Sequence, residues 1–589
     1  MNEKILNNFF IIQRIVEEFD SDEESILNFL QICKSTWKFM GNVRYSYFPI
    51  HKLQRLNSNS KLAIPVDVKV LVRNIPLKYH QLEIDSQEIL DSLDTIIERF
   101  DIISMALLFE LKSLPRHYPK SLERLLIASS RFNEPILKNQ LPDTLLHLWL
   151  PYSFEQPLQW LPSHLESLSL LSDSVNPIIS GNLSLVPSLK KLCCNGKILD
   201  LLTVGSIPST VEYLVFYGDR KTKGKNPIAA NVIPEGVMYL HLPKGNVNLQ
   251  PGSIPSTVRF LKFNSFNRSL LSSDGVSLLP RDLEILKMGS KYDTPLVKGV
   301  FSPCTNLHTL KLYCYNQLLQ PGVLPESLKV LYLGENFERE LQPGSLPQGL
   351  EKLVFSDCWN FPISPGTLPV ELRELYFGEN FNQELSIGVL PQNLEILELG
   401  GQFNHPLVQG CLPESLRQLD LSDQFAQDIK VGDLPTQLES LSFGSAFDNH
   451  IEPGSIPRSI QILSFPNGFD CRLESGSIPD TVQEISFGIR FNQPLDPGVL
   501  PQSLQILRFG DHFNQPLPLH SIPNNIVDLT FGEYFNQILE PLPNSLCHLT
   551  LSKSFKSQNL KPNSIPPHTI VTYQSSNSSL FIPFNCLSN

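Results

Sequence analysis

Residues 369–390 read PVELRELYFGENFNQELSIGVL, and this stretch is one copy of the pattern that decides the fold. Within the copy, apolar residues follow the proline after three, six, eight and twelve positions. A Leu-Pro or Ile-Pro step starts each copy, and its proline recurs at constant spacing as Pro325, Pro347, Pro369, Pro391, Pro413, Pro435, Pro457, Pro479, Pro501 and Pro523. A fixed period of this length predicts a repeat solenoid, in which each turn buries its apolar face against its neighbours.

The centre of each copy has the alternation of a short strand. Leu372, Leu375 and Phe377 would point into the core, while Glu374 and Tyr376 would point outward. Stacked copies would then align their strands into one long parallel sheet. Glycines and Pro-Gly pairs mark tight turns after the strand and on the back of the coil. Few helices are expected, because no segment of the copy is both long enough and free of proline.

The spacing Leu-xx-Leu-x-Leu/Phe resembles that of a leucine-rich repeat, and the whole unit resembles the FNIP repeat. The residues that carry this second resemblance include Phe381-Asn382-Gln383 and Phe491-Asn492-Gln493-Pro494. The resemblance covers residues 119–575 and implies a right-handed coil with a long parallel β-sheet on one face. Asparagines follow the aromatic residue here, and we expect their side chains to bond to the backbone in a stack at the strand exit.

Four regions follow from this pattern. We predict a helical segment at residues 1–45 and an irregular cap at 46–118, which would contain one early repeat and a helix over 85–100. Residues 119–575 would form about twenty 22-residue turns, with looser spacing of roughly 20 to 26 residues before Pro325. Residues 576–589 would be a polar tail.

The N-terminal segment at residues 15–40, IVEEFDSDEESILNFLQICKSTWKFM, resembles an F-box. Its end, Ile32-Cys33-Lys34-Ser35-Thr36-Trp37, has one extra residue before the tryptophan, and the usual Leu-Pro step is absent. The resemblance implies that a Skp-type adaptor would bind here, and the candidate contacts are Phe10, Ile12, Val16 and Trp37. The alternative is a helical cap that shields the first turn of the solenoid.

Composition and motifs argue against several classes of function. The net charge is −12, from 59 acidic and 47 basic residues, which does not suit a nucleic-acid-binding protein. No stretch approaches the ~18 apolar residues of a membrane span. The ten cysteines follow no paired spacing, so we expect reduced core thiols and a cytoplasmic protein. Phosphate-binding glycine loops and metal-binding motifs are missing, so we predict no enzyme activity, no cofactor and no small-molecule substrate.

The outward strand positions are where one turn differs from the next. Seven residues after the proline, with one residue of slip at Pro303, the column reads Lys262, Lys287, Lys311, Tyr332, Val354, Tyr376, Glu398 and Asp420. Like charges on neighbouring strands repel, and an apolar strip gains nothing from facing water. A cationic edge, an aromatic middle and an acidic end predict a protein-binding surface. Sequence drift on an exposed sheet is the alternative.

Two functions fit this sequence. The first is a non-enzymatic scaffold that binds a protein partner on the exposed strand face. The second is an F-box-type substrate receptor of a cullin-RING ubiquitin ligase, in which residues 1–45 would bind the adaptor and the solenoid would hold the target.

Overall fold

The computed structural model describes residues 81–84, 87, 90, 102–172, 174, 178, 183, 186–218, 227–245, 247–561 and 563–574. These residues fall into two compact units. The first unit holds the described residues up to Phe266 together with Leu278–Leu283. The second holds Asn267–Ser277 and the described residues from Glu284 onward. Each unit is a stack of coils that contributes one parallel strand per coil.

The first unit contains nine parallel strands. They are β1 (Gln81–Ile84), β2 (Ser104–Leu107), β3 (Arg124–Ile127), β4 (His147–Leu150), β5 (Ser167–Leu170), β6 (Lys191–Asn195), β7 (Tyr213–Tyr217), β8 (Tyr239–Leu242) and β9 (Phe260–Phe263). Each strand pairs with the next in sequence order. A short 3₁₀ helix, Gly196–Leu201, follows β6.

The second unit contains fourteen parallel strands. They are β10 (Ile285–Met288), β11 (Thr309–Leu312), β12 (Val330–Leu333), β13 (Lys352–Val354), β14 (Glu374–Tyr376), β15 (Ile396–Glu398), β16 (Gln418–Asp420), β17 (Ser440–Ser442), β18 (Ile462–Ser464), β19 (Glu484–Ser486), β20 (Ile506–Arg508), β21 (Asp528–Thr530), β22 (His548–Ser552) and β23 (Ile570–Gln574). One 3₁₀ turn, Ser557–Asn559, lies between the last two strands.

One regular coil of the second unit shows how 22 residues close a complete turn of the solenoid. Three tight turns close it, through hydrogen bonds from the N–H groups of Leu372, Phe381 and Val389 to carbonyls three residues earlier. The strand between the first two turns is only three residues long, and its central Leu375 is fully buried. The repeat-solenoid prediction, with a parallel sheet and few helices, is therefore confirmed for the described residues.

Glycine occupies two columns of the coil for two different reasons. On the back turn, glycines such as Gly344 and Gly498 have φ of 80° and 89°, a left-handed conformation that other residues resist. His520 stands in this column with φ 71°. After the strand, the reason is space, because a Cβ on Gly444 would lie 1.5 Å from the carbonyl oxygen of Ser422 in the preceding coil.

A column of stacked aromatic rings forms the core of the second unit. From Trp359 to Phe555 one ring per coil stacks on the next, with centroids 5.7 to 6.4 Å apart. A second, interrupted column contacts the first, for example Phe377 against Phe381 at 3.8 Å. Burial of each ring contributes about 1.5–3 kcal/mol, and a stacked pair adds ~0.5–1.5 kcal/mol.

The predicted asparagine stack is confirmed. The Asn360 side-chain oxygen accepts the N–H of Asn382 at 2.9 Å, and the Asn382 oxygen accepts the N–H of Asn404 at 3.0 Å. Glutamine side chains reinforce the same oxygens, as Gln383 does at Asn360. Each bond joins one coil to the next, so the asparagine ladder has a structural role and stabilises the stacking of the coils.

The strand ladder begins ahead of the boundary we predicted at residue 119, because β1 and β2 already pair in the parallel sheet. Of the helix expected over 85–100, the structure describes only Gln87 and Leu90, and both are helical. The segments 1–45 and 576–589 lie outside the described residues. So do the early repeat expected near residue 64 and the F-box-like motif.

Candidate protein-binding face

The outward column of the second unit is continuous. Lys287, Lys311, Tyr332, Val354, Tyr376, Glu398 and Asp420 lie in direct register on seven consecutive strands, β10 to β16. We call these seven residues the mixed-charge strip. They belong to the water-facing side, because the leucines that alternate with them are fully buried. The sequence spacing therefore identified true neighbours.

Two tyrosines of the mixed-charge strip are held by lysines. The ammonium nitrogen of Lys311 lies 3.6 Å from the ring centroid of Tyr332, and that of Lys352 lies 4.5 Å from the centroid of Tyr376. Cation–π contacts of this kind contribute about 0.5–2 kcal/mol, depending on how far water is excluded. Burial, together with the charges of Lys287 and Lys352, lowers the pKa of Lys311. These contacts fix the orientation of both rings.

Lys352 belongs to the neighbouring outward column, which our reading of the sequence did not single out. Its ammonium group donates to Glu374 at 2.7 Å, and the hydroxyl of Tyr376 donates to the same carboxylate at 3.0 Å. Burial opposes the charge of Lys352, but the hydrogen bond with Glu374 and nearby negative charges outweigh it and raise its pKa. The signal was a column five residues after the proline, where lysine and glutamate follow each other in adjacent turns.

The two carboxylates at the acidic end of the mixed-charge strip repel each other. Glu398 and Asp420 face each other across β15 and β16. Loss of water around the Glu398 carboxyl group, and then the charge of Asp420, raise the pKa of Glu398. Asp420 accepts a hydrogen bond from Gln418 at 2.8 Å. Among the described residues no ion pair is recorded for either carboxylate, so this end can accept a cation from outside.

A third column, four residues after the proline, is neutralised within the chain. Lys329 pairs with Glu351 at 2.9 Å, and the same alternation continues as Arg373–Glu395 and Arg417–Glu439. Such exposed pairs contribute little stability, typically about 0–1 kcal/mol. They do cancel the charge along this edge of the face.

The remaining predicted residues lie elsewhere. Lys262 is in β9, which belongs to the first unit, so we describe it with that unit's face. The proposed adaptor contacts Phe10, Ile12, Val16 and Trp37 lie outside the described residues.

The outward face of the first unit has a chemistry that we did not anticipate. Tyr213, Tyr239 and Phe260 occupy register positions on β7, β8 and β9, and their rings stack on one another. All three stand five residues after a proline (Pro208, Pro234 and Pro255), a column that our reading of the sequence did not follow in this part of the chain.

The second unit also contains an open cavity of about 410 Å³ beside β17 to β20. Eight residues line it, and all of them are polar or charged: Gln437, Glu439, Arg458, Ser459, Gln461, Thr481, Gln483 and Ser503. Small-molecule sites are lined mainly by apolar and aromatic side chains. This cavity therefore does not have the lining of a substrate pocket.

The described residues contain neither a metal-binding cluster nor a membrane-spanning helix. No group of three or more His, Cys, Asp or Glu side chains there could hold a metal ion. None of the helices in this part of the chain is long and apolar enough to cross a membrane. The eight described cysteines are free thiols, and burial raises the pKa of Cys193, Cys194 and Cys304.

Comparisons place the chain among leucine-rich-repeat-like solenoids. The family model described as "FNIP Repeat" matches five tandem segments: 315–358, 359–402, 403–446, 447–489 and 491–534. The crystal structure of CroV588, described as a novel circular leucine-rich-repeat protein, is similar with a TM-score of 0.60 and 27% identity. That match covers 80% of this chain and 72% of CroV588.

A leucine-rich-repeat protein of Leptospira interrogans matches with a TM-score of 0.36 and 17% identity, over 59% of this chain and 86% of that one. No curated protein is significantly similar in sequence. The chain thus contains FNIP repeats and folds as a leucine-rich-repeat-like parallel solenoid, a kind of fold that mediates protein–protein interaction.

Proposed function

We propose that the protein is a non-enzymatic scaffold that captures a protein partner on the exposed strand face of the second unit. The observation that carries this proposal is the pair Tyr332 and Tyr376, held in place by Lys311 and Lys352 around Val354. Aromatic side chains that are already ordered lose little entropy on binding, and they are the residues that dominate interface energies.

The acidic end of the mixed-charge strip supports a partner with a basic group opposite Glu398 and Asp420. These two carboxylates repel each other in the free protein, and the pKa of Glu398 is raised. A lysine or arginine from the partner would relieve that repulsion. Affinity would then depend on salt, while the tyrosines would contribute the apolar contact.

The test compares substitutions on and off the strip. Partners captured by proximity labelling with the full chain should be lost in Tyr332→Ala/Tyr376→Ala and reduced in Asp420→Asn. The double variant should still melt cooperatively, with a melting temperature lowered only by the loss of its two cation–π contacts and the Tyr376–Glu374 hydrogen bond. The matched control is Tyr534→Ala, which removes an exposed tyrosine, 56% accessible, from a turn rather than a strand. Unaltered capture in the double variant would contradict this proposal.

The wider proposal is a cytoplasmic protein that acts through protein partners, without a cofactor, nucleic acid, membrane or small-molecule substrate. The net charge of −12 supports the exclusion of nucleic acid, and the absence of long apolar runs in the sequence supports the exclusion of a membrane. We also infer no enzyme activity, since the described outward columns bring together no set of groups suited to acid–base or nucleophilic chemistry.

A second candidate function, the substrate receptor of a cullin-RING ligase, rests on the F-box-like sequence at residues 15–40. A pull-down of the full chain with a Skp-type adaptor tests it directly. Phe10→Ala/Trp37→Ala should abolish recovery, whereas Tyr332→Ala should leave it unchanged. If the unaltered chain does not recover the adaptor, the ligase function is excluded and the scaffold proposal stands.

A further inference from the structure

The first unit exposes an aromatic ladder made of Tyr213, Tyr239 and Phe260, one ring from each of the strands β7, β8 and β9. The Tyr213 and Tyr239 centroids are 5.6 Å apart, and those of Tyr239 and Phe260 are 4.2 Å apart with an interplanar angle of 9°. All three point to the water-facing side, and Tyr213 is 46% exposed. Tyr217, 44% exposed, and His241 extend the ladder along the strands.

Such a cluster is costly to leave uncovered. Aromatic side chains each bury about 150–250 Å² when they are covered, and contiguous exposed apolar patches mark interaction sites. The rings of the aromatic ladder stack on each other, so their edges and two phenol groups face outward. This arrangement favours a partner that lies across the ring edges and forms hydrogen bonds at the rim.

The charge within the strands around the aromatic ladder is positive. Lys191 pairs in register with Tyr213, and Lys262 pairs in register with His241. No acidic residue occurs among the outward strand positions of β3 to β9, which are Arg124, Leu126, His147, Trp149, Ser167, Ser169, Lys191, Cys193, Asn195, Tyr213, Val215, Tyr217, Tyr239, His241, Phe260 and Lys262. Neighbouring side chains bury five of these, Ser167, Ser169, Cys193, Asn195 and Val215. No salt bridge is recorded for either lysine within the described part of the chain.

Acidic residues lie only just ahead of these strands. Glu166 and Glu212 each precede a strand by one position, and the backbone of Lys190 bonds to both from the coil between them. That edge therefore alternates in charge, as the corresponding column of the second unit does. The net positive charge lies further along the strands, beside the rings.

We propose that the aromatic ladder, with Lys191 and Lys262 at its two ends, is a second docking surface that binds an extended, carboxylate-bearing segment of a partner protein. Strands β6 and β9, which carry the two lysines, are three strand spacings or ~14 Å apart. An extended segment rises ~3.3 Å per residue, so two carboxylates about four residues apart would reach both lysines. Aliphatic or aromatic residues between them would contact the ring edges. This surface belongs to the first unit, and the mixed-charge strip belongs to the second.

Single-stranded nucleic acid is a weaker fit to the same features. Bases bind such proteins by stacking on open ring faces within a strongly positive groove. Here the facing sides of Tyr239 and Phe260 already stack on each other at 4.2 Å, and the face offers few cations in a chain of net charge −12. A carboxylate-bearing peptide needs only ring edges and two ammonium groups, which are what the surface presents.

The test starts from a phage library of random dodecapeptides selected on the full chain. Selected peptides should be enriched in pairs of Asp or Glu about four residues apart with apolar residues between them. The best peptide, labelled with fluorescein, should bind at least about tenfold more weakly to Lys191→Glu/Lys262→Glu and to Tyr239→Ala, and should lose affinity as salt rises. Tyr239→Phe, which keeps the stacked ring, should retain most of the affinity.

The matched control is Lys430→Glu/Lys556→Glu, which makes the same change of net charge at two exposed lysines of the second unit. It should bind the peptide as the unaltered chain does, and Tyr332→Ala should do the same. Melting curves identify any variant that has not folded.

Four results would overturn the proposal. They are selection without acidic enrichment, equal binding by a peptide with Gln in place of Glu, displacement of the peptide by oligothymidine at similar concentration, and self-association of the chain that Lys191→Glu/Lys262→Glu abolishes. The last result would make a second copy of this chain the occupant.

Discussion

The two units use the same coil but differ in regularity and in the chemistry of the outward face. In the second unit the prolines keep a constant spacing from Pro325 onward, most strands are three residues long, and aromatic rings stack without interruption from Trp359 to Phe555. In the first unit the spacing varies, the strands have four or five residues, and the aromatic core contacts among the described residues are isolated pairs, Phe132–Phe154 stacked and Phe263–Phe266 tilted.

The strand faces of the two units also differ in the charges and the aromatic residues that they present. The outward columns of β10 to β21 mix carboxylates with lysines and an arginine, and several of these charges are paired within the chain. The strands β3 to β9 present aromatic residues and cations without any carboxylate. The regular unit therefore has a frame built from repeated contacts, and the irregular unit presents stacked aromatic rings on its strand face. Stacking demands uniform columns, whereas recognition demands departures from them.

The largest expected difference lies in the aromatic core. Phe425→Ala removes a fully buried ring that stacks on Phe403 and on Phe447, and it should cost about 3–5 kcal/mol of unfolding free energy. Phe154→Ala removes an equally buried ring with one recorded stacked neighbour, so its cost should be lower by ~0.5–1.5 kcal/mol.

Urea unfolding followed by circular dichroism, with hydrogen exchange to locate the affected coils, measures both phenylalanine variants. Equal costs in unfolding free energy would show that stacking in a continuous column adds no stability beyond the burial of each ring. The aromatic cores of the two units would then stabilise the fold equally per ring.

A smaller difference in unfolding free energy is expected at the glycine position that follows the strand. Gly444→Ala places a methyl group against the carbonyl of Ser422, so the coils must separate and the unfolding free energy should fall by about 1–3 kcal/mol. The equivalent first-unit position is Ala128, nine residues after its proline. Ala128→Gly should cost only the backbone entropy of glycine, ~0.5–1 kcal/mol. A neutral Gly444→Ala would mean that the coils of the regular unit have room to adjust.

The smallest effect concerns pH and the acidic end of the mixed-charge strip. The folded-state pKa of Glu398 is raised, so its ionisation costs stability, and this cost grows as pH rises through that pKa. Glu398→Gln should therefore stabilise the protein at pH 7 by about 0.5 kcal/mol, the size of an exposed cross-strand charge pair. Below pH ~4, where glutamate is protonated in both states, the gain should vanish.

Urea midpoints at pH 7 and pH 3.5 measure this effect, with Glu384→Gln in the same region as the control. A stabilisation that is independent of pH would assign the effect of Glu398→Gln to packing rather than charge. No outward strand position of β3 to β9 is acidic, so these seven strands offer no site for a matching change.

Much of the fold could be predicted from the sequence, because every turn of a solenoid is stabilised by the same contacts at the same positions of the repeat. The leucine columns, the aromatic column and the asparagines after it were each predicted and observed. The mixed-charge strip was also predictable from β10 to β16, since constant spacing converts directly into strand register. Lys262, which we predicted in the same column, lies in the other unit, and its part in partner binding stays a prediction.

The sequence by itself determined the coil, because each position of a constant period meets the same position of its neighbours. Only the tertiary structure decided which irregular residues become neighbours. The ring stack of Tyr239 on Phe260 depends on how two side chains of one column orient. The contact of Lys352 with Tyr376 joins two different columns on β13 and β14, and a count along the chain gives the register of these strands but not the side-chain contact. The physical reason is that hydrogen bonds between coils set the register, and loops of different length reach the same register.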